Sequence, residues 1–385
     1  MPRRFTGFWQ QRRQGSEGTF VAPPPVFLAR PLLQPIDYVV YIGDRRGTVI
    51  GELAGHLESV TWSTDGYGMA SMILPLRDAF AAGPLLEFGN RVYIELSGGL
   101  QPWGGVVDVP RETTLGQMRL QFYEAAYTLN WRLTPRMAMY SGSEAAPAAS
   151  ILADLVERAD LVAGIDISAA AGGQPVDVEF HLDTLATAGQ RLRDVDPELH
   201  YFIRPYPRRA AGGIYFELVA FRGALADRTD TAVLIQGYNL IDWTVLEQGP
   251  IYNEVTVGVG DFIDPPEGSY AELFTAGDAA GQARHGLRQQ LISLPEEDGE
   301  AGPGRAENRA AAQLERYSRP SRRVRGACLN LPPALYGDYG IGSRMLIEAT
   351  SPMAAAEEVT VIGMELQPAT GLVSLIFNDD TGEGL

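Results

Sequence analysis

Apolar and polar positions alternate along much of the chain after residue 36. Tyr38-Val39-Val40-Tyr41-Ile42 reads as a strand, and Gly43-Asp44-Arg45-Arg46-Gly47 as the turn that ends it. Further strands are predicted over Leu57–Trp62 and Ala70–Leu74, with Asp65-Gly66 as the turn signal between them. Arg91–Leu96 places Val92, Ile94 and Leu96 on one face, and Trp103–Val109 and Arg119–Leu129 follow, the last with Leu120, Phe122 and Ala125 among its apolar positions. Strands at this spacing suggest a small barrel or sandwich.

The period changes near residue 136. Pro147 opens a predicted helix whose stripe is Ile151, Leu152, Leu155 and Val156. A second helix is predicted over Leu182–Arg193, with Leu182, Leu185, Ala186, Gly189 and Leu192 at helical spacing. Strands at His200–Arg204 and Ile214–Phe221 complete a compact α/β unit. From residue 233 the chain returns to β, with Val233–Ile235, Leu240–Glu247 and Ile251–Val259. In the last run Ile251, Asn253, Val255, Val257 and Val259 share one face. Residues 261–304 read as irregular; a helix over Arg305–Tyr317 is stopped by Pro320. Strands follow at Ser321–Leu329, Arg344–Glu348, Glu358–Glu365 and Gly371–Phe377, and an acidic tail begins at Asn378. Residues 1–35 sustain neither period; they carry arginines, aromatic residues and the run Pro23-Pro24-Pro25, and read as an arm that orders against a partner or stays free.

At about 150 residues per domain, 385 residues suggest two or three domains. A net charge of −17 argues against a protein that grips the phosphate backbone, which needs clustered positive charge. No stretch approaches the roughly 18 apolar residues of a membrane span, and the N-terminus lacks the apolar core of a secretory signal. One cysteine, Cys328, excludes an intrachain disulfide framework and reads as a small buried hydrophobe.

Catalytic motifs are absent: there is no G-x-S-x-G elbow, phosphate loop, dinucleotide fingerprint or H-E-x-x-H. His56, His181, His200 and His285 are too far apart in sequence for a local metal pair. Glu296, Glu297 and Asp298 form the densest acidic cluster, in a Gly/Pro loop where nothing desolvates a carboxylate. The glycines of Gly337–Met345 do not follow a strand and open a helix, so a turn feeding a strand is the simpler reading. No catalytic, cofactor-binding or metal-ligating residue is therefore expected, and no cofactor. An enzyme of carbohydrate or cell-wall cleavage would have to use these acidic residues. A carbohydrate-binding or adhesin module would need an exposed aromatic platform, whereas Trp62, Trp103, Trp131 and Trp243 fall in or beside apolar strands, as core residues do.

A set of ordered motifs carries a resemblance. They are Leu57–Trp62 with Ala70–Pro75, Phe88–Ile94, Trp103–Val107, Tyr252–Val257, Ala283–Arg288, Asn308–Leu314 and Tyr339–Met345. In their order and spacing, from about residue 38 to 378, the chain resembles the tail hub (baseplate hub) proteins of tailed bacteriophages, including the Gp37-like tail proteins of siphoviruses. His285 stands where that family more often has Tyr. The resemblance implies a mainly β fold with an α+β insertion. Two small tail-tube-like β-barrel domains and an α/β domain would be assembled as a ring.

The implied division is an arm (1–35), a first barrel (36–135, completed by 226–250), an inserted α/β domain (136–225) and a second barrel with one helix (251–385). The implied assembly is a homotrimer that adapts a sixfold tail tube to a threefold tip. Its implied partners are a distal tail or tail-tube ring, the C-terminus of a tape-measure protein and a central fibre or spike. DNA would pass through without specific binding, at the distal end of a virion tail. An acidic lumen would repel DNA; equally, the excess acid keeps the surface soluble.

Overall fold

The computed structural model describes residues 34–159, 165–169, 172–208, 213–248, 252–259, 272–294, 303–318, 321–349 and 355–379. The arm up to residue 33, the acidic loop 295–300 and the tail after residue 379 lie outside them.

Seven strands form the first β segment: β1 (Tyr38–Gly43), β2 (Val49–Leu53), β3 (His56–Ser63), β4 (Met69–Pro75), β5 (Arg91–Leu96), β6 (Trp103–Thr114) and β7 (Gln117–Glu124). A short helix α1 (Leu76–Ala81) and a 3₁₀ turn at Gly83–Leu86 link β4 to β5. The β1–β2 turn is fixed by Asp44, whose carboxylate accepts from the amides of Arg46 (2.8 Å) and Thr48 (2.9 Å). The predicted strand over Arg119–Leu129 ends early, because Ala125–Trp131 winds into a 3₁₀ turn. Within that turn the Thr128 hydroxyl donates to the Ala125 carbonyl at 2.7 Å, a local bond that competes with ladder pairing.

The α/β segment comprises β8 (Ala138–Tyr140), β9 (Ala146–Pro147), α2 (Ala148–Arg158), β10 (Ile165–Ala169), β11 (Pro175–Val176), β12 (Val178–Phe180), α3 (Leu185–Val195), β13 (Leu199–Arg208) and β14 (Gly213–Arg222). Pro147 caps α2 from outside. Leu182, expected within the second helix, instead lies before it with φ 51°; Thr184 caps α3 by accepting from the Thr187 amide at 3.1 Å. β13 and β14 pair as a long antiparallel hairpin, and β10 adds in parallel to β14. Ile151, Leu155, Leu185, Leu192 and Leu218 build the core of this segment, joined by Tyr93 of β5 and Val106 of β6.

The remainder contains β15 (Ala226–Asp227), β16 (Val233–Ile235), β17 (Leu240–Gln248), β18 (Glu254–Val259), β19 (Glu272–Gly277), α4 (Ala279–His285), β20 (Gln289–Leu294) and α5 (Pro303–Tyr317). It ends with β21 (Ser321–Cys328), β22 (Ser343–Ala349), β23 (Ala355–Gln367) and β24 (Leu372–Asp379). The described part of the stretch predicted to be irregular thus holds two strands and two helix starts. β18, β19 and β20 make a separate three-stranded sheet, and Ala306 and Ala310 of α5 share a small core with Val257 and Val259.

The two expected barrels do not appear as separate closed units. Among the described residues one 14-stranded sheet runs in the order β17-β21-β24-β23-β3-β4-β7-β6-β5-β1-β2, with β15, β16 and β22 attached beside β23. It ends at β17 and β2 and does not close on itself. The cause is β23. One of its edges pairs with β24; the other pairs with β22 over residues 355–360 and with β3 over Gly363–Leu366. Nor does the stretch 226–250 complete the first β segment: β15 and β16 pair with β22, and β17 pairs with β21. Those partners offered the matching apolar registers, Val233 opposite Leu346 and Leu240 opposite Cys328.

Candidate assembly surfaces

The residues singled out by chemistry stay scattered. His56 opens β3 at the surface, His181 lies 3.1 Å from Glu179, and His200 is buried beside Asp65. His285 ends α4. Among the described residues no group of three or more His, Cys, Asp or Glu side chains is placed to hold a metal ion. Cys328 is buried in β21, and burial pushes its thiol pKa up, so it stays protonated. Gly337–Met345 is a turn feeding β22; Gly337, at φ 96°, packs so closely that a Cβ there would sit 2.5 Å from the Gly99 carbonyl oxygen. Trp62 and Trp103 are core residues as expected, whereas Trp131 is only half-buried and sits in a surface cluster of aromatic rings.

Two buried ionisable groups that sequence reasoning passed over organise the contacts between segments. Glu124, at the end of β7, is 2% exposed. One oxygen of its carboxyl group accepts from the amides of Gly68 (2.6 Å) and Ser63 (3.3 Å), across the neck of the β3–β4 turn. Burial raises its pKa to about 8 against the opposing pull of those two amides. The turn so held reaches two other segments. Asp65, at φ 62°, accepts from the Tyr201 amide (3.0 Å), donates its own amide to the Tyr201 carbonyl (2.8 Å) and faces His200 Nδ1 at 2.8 Å. Thr64 donates its amide to the Ile362 carbonyl of β23 at 2.9 Å.

Arg91 makes the second link. Its guanidinium, 2% exposed, donates to the carbonyls of Ile214 (2.8 Å) in β14 and Arg45 (3.1 Å) in the β1–β2 turn. The Phe216 ring lies 5.4 Å from it. The β3–β4 turn and Arg91 therefore join the Ile214 amide, which donates to the Gly47 carbonyl at 2.7 Å, in registering the α/β segment on the first β segment.

The ends of the large sheet, unpaired among the described residues, are the other feature with consequences. Val49 and Ile50 on β2 are 40% and 44% exposed, and Ile241 on β17 is 52% exposed. Edge strands with unpaired backbone groups and apolar side chains invite pairing with another chain. Neither edge shows a signal in local sequence, because edge status depends on which distant strands arrive.

No protein-family model matches this chain, and no curated protein matches it. Solved structures do. The 43 kDa tail protein of prophage MuSo2 from Shewanella oneidensis superposes with a TM-score of 0.58 at 13% identity, over 90% of this chain and 99% of its own. A tail protein from Neisseria meningitidis gives 0.58 at 12% identity, over 90% and 97%. Prophage tail protein gp18 from Listeria monocytogenes gives 0.51 at 12% identity, over 89% and 95%. The chain thus has the mainly β fold of these tail proteins over about nine-tenths of its length.

Proposed function

We propose that this chain is a structural tail hub of a phage or phage-like particle. In this reading three copies form a ring that adapts a sixfold tail tube to a threefold tip and lines part of the DNA conduit. The observation that carries the reading is the shared fold with these tail proteins, spanning nine-tenths of this chain and nearly all of each of theirs. The open edges β2 and β17 supply surfaces by which copies could pair. Residues 36–135 and 251–385 would be the ring-forming β segments and 136–225 the peripheral α/β segment. The neighbours in this reading are a tail-tube or distal tail ring, the end of a tape-measure protein and a central fibre or spike, at the distal end of the tail. The chain carries out no catalysis in this account.

The deciding experiment is the mass of the purified assembly, followed by imaging of its symmetry. A trimer with an axial hole is expected; a stable monomer, or a closed dimer without a hole, overturns the hub. A second expectation concerns the arm. Deleting residues 1–33 leaves an assembly of unchanged mass that fails to join the tail, and normal joining counts against an assembly role for that segment.

A further inference from the structure

The β13–β14 hairpin is clamped to the first β segment at two places. At one, the Ile214 amide donates to the Gly47 carbonyl at 2.7 Å, and the Ile214 carbonyl accepts from Arg91. At the other, Asp65 of the β3–β4 turn engages both backbone groups of Tyr201: its side chain accepts from the amide, and its own amide donates to the carbonyl. Within the hairpin Tyr201 opposes Ala220 and Ile214 opposes Pro207, so the clamps lie about 20 Å apart along the ladder. They differ in what holds them. The first rests on backbone groups and an arginine, whose charge does not change near neutrality. The second rests on Glu124, which ties the neck of the turn. One of its carboxyl oxygens accepts from the Gly68 and Ser63 amides, and its backbone amide donates to the Gly68 carbonyl at 2.9 Å.

Glu124 is a buried carboxyl group without a countercharge. The ionisable groups on the elements around it are Asp65 and Tyr67 of the turn, Asp108 of β6, Tyr123 beside it on β7, Tyr127 of the 3₁₀ turn, Tyr201 and His200 of β13, and Arg193 of α3. Among the described residues none of these forms an ion pair or hydrogen bond with Glu124. The two cationic side chains, His200 and Arg193, face Asp65 instead. A buried charge without a partner is costly, so in the closed turn the group holds its proton. The pKa raised to about 8 by burial agrees with this.

The neck of the turn leaves little room for gradual adjustment. Gly68 lies so close to β3 that a Cβ there would sit 1.9 Å from the Thr61 carbonyl oxygen. Contacts packed this closely open as a unit. An ionised Glu124 therefore reaches water by opening the turn, and the turn takes Asp65 with it. We propose that the β3–β4 turn is a proton-operated latch: with Glu124 neutral it holds the hairpin at Tyr201, and as Glu124 gives up its proton the turn opens and the α/β segment pivots on the Ile214 clamp. The inference stands apart from the hub reading, since it concerns contacts within one copy.

The test is hydrogen exchange of the full chain from pH 5 to 9, corrected for the base-catalysed intrinsic rate. Glu124 ionises at its ordinary 4.5 when the turn is open and at about 8 when it is closed, so one proton separates the two states between those values. Protection of the Asp65 and Tyr201 amides should fall about tenfold per pH unit up to about 8 and level off above it. Dilute urea should leave those two rates unchanged, because opening a turn exposes little surface. It should speed the Ile214 and Trp62 amides, which exchange through larger unfolding. Glu124→Gln cannot ionise and leaves Asp65, His200 and Arg193 in place, so both turn amides should lose their pH slope. If the Asp65 and Tyr201 amides answer to urea as steeply as Ile214, Glu124 acts on the whole fold and the latch is overturned. Protection that does not change with pH in the unmodified chain overturns it too, as does a slope that survives Glu124→Gln.

Discussion

Two of the seams between the described segments are built in opposite ways. The seam between β3 and β23 is a backbone ladder: Val60 opposes Leu366, Trp62 opposes Met364, and all four side chains are buried. The seam between the first β segment and the α/β segment also buries apolar side chains, Tyr93 and Val106 among them. Its register is set by a few backbone contacts, such as the Ile214 amide on the Gly47 carbonyl at 2.7 Å, together with polar side chains: Arg91 on the Ile214 carbonyl, and Asp65 on Tyr201 and His200. Apolar ladders fix geometry without regard to solution conditions. Buried polar contacts are specific in direction, but their worth depends on protonation and on leaving no partner stranded. The first seam can therefore carry load while the second remains chemically addressable.

The sharpest way to break this comparison is to damage the apolar seam. Leu366→Ala removes a fully buried side chain from the ladder opposite Val60. It should lower stability by about 2–5 kcal/mol, the usual range for a large-to-small change in a packed core. Denaturant melts followed by tryptophan fluorescence read it, since Trp62 lies in the same seam. A loss below about 1 kcal/mol would mean that the seam collapses freely and carries little.

At the polar seam, Arg91→Met keeps most of the apolar stem and removes the guanidinium. The Ile214 and Arg45 carbonyls lose their donor, each at a cost of about 1–3 kcal/mol if left without another. Because the damage lies at one seam, hydrogen exchange should quicken at the start of β14 and stay slow across β3 and β23. Uniform quickening of both seams would erase the distinction drawn between them.

Much of this construction can be read from local sequence, and the part that cannot has a common cause. β4 and β22 alternate strictly, and α2 follows a clean helical stripe, because each presents one face to a core. β19, α4 and β20 escaped because their apolar residues lie on both faces: Leu273 and Leu291 are exposed while Phe274 and Ile292 pack inward. The single large sheet escaped because β23 meets β3 some 300 positions away, and register at that range leaves no local trace. Asp65 was legible as a turn residue but not as a contact to Tyr201. Glu124 reads as one acid in an apolar run. The aromatic spacing Tyr123, Tyr127 and Trp131 was visible and could have announced the surface cluster, had the run not been read as one long strand.

Glu124 sharpens the comparison through pH. Its folded pKa, about 8, lies above the unfolded value of 4.5, so the folded state holds the proton more tightly. The stability tied to that proton is whole below the unfolded value, declines as pH rises and is gone above about 8. Over that window the slope approaches about 1.4 kcal/mol per pH unit for one proton. Glu124→Gln keeps a carbonyl acceptor for the Gly68 amide and cannot ionise. Its melting temperature should gain on that of the unmodified chain as pH rises from 6 to 9, and parallel curves would show that Glu124 does not titrate in the folded state.

The gentlest test falls on Asp65. Asparagine tolerates the positive φ and keeps an acceptor for the Tyr201 amide, so Asp65→Asn removes only the charge that faces His200 and, at 3.5 Å, Arg193. A loss of about 1 kcal/mol is expected, the difference between a charge-assisted and a neutral hydrogen bond. Hydrogen exchange at the Tyr201 amide should quicken while the Trp62 amide, which faces β23 opposite Met364, holds. If that ladder amide quickens equally, the β3–β4 turn transmits strain from one seam into the other, and the two are a single cooperative unit rather than a fixed frame with an adjustable attachment.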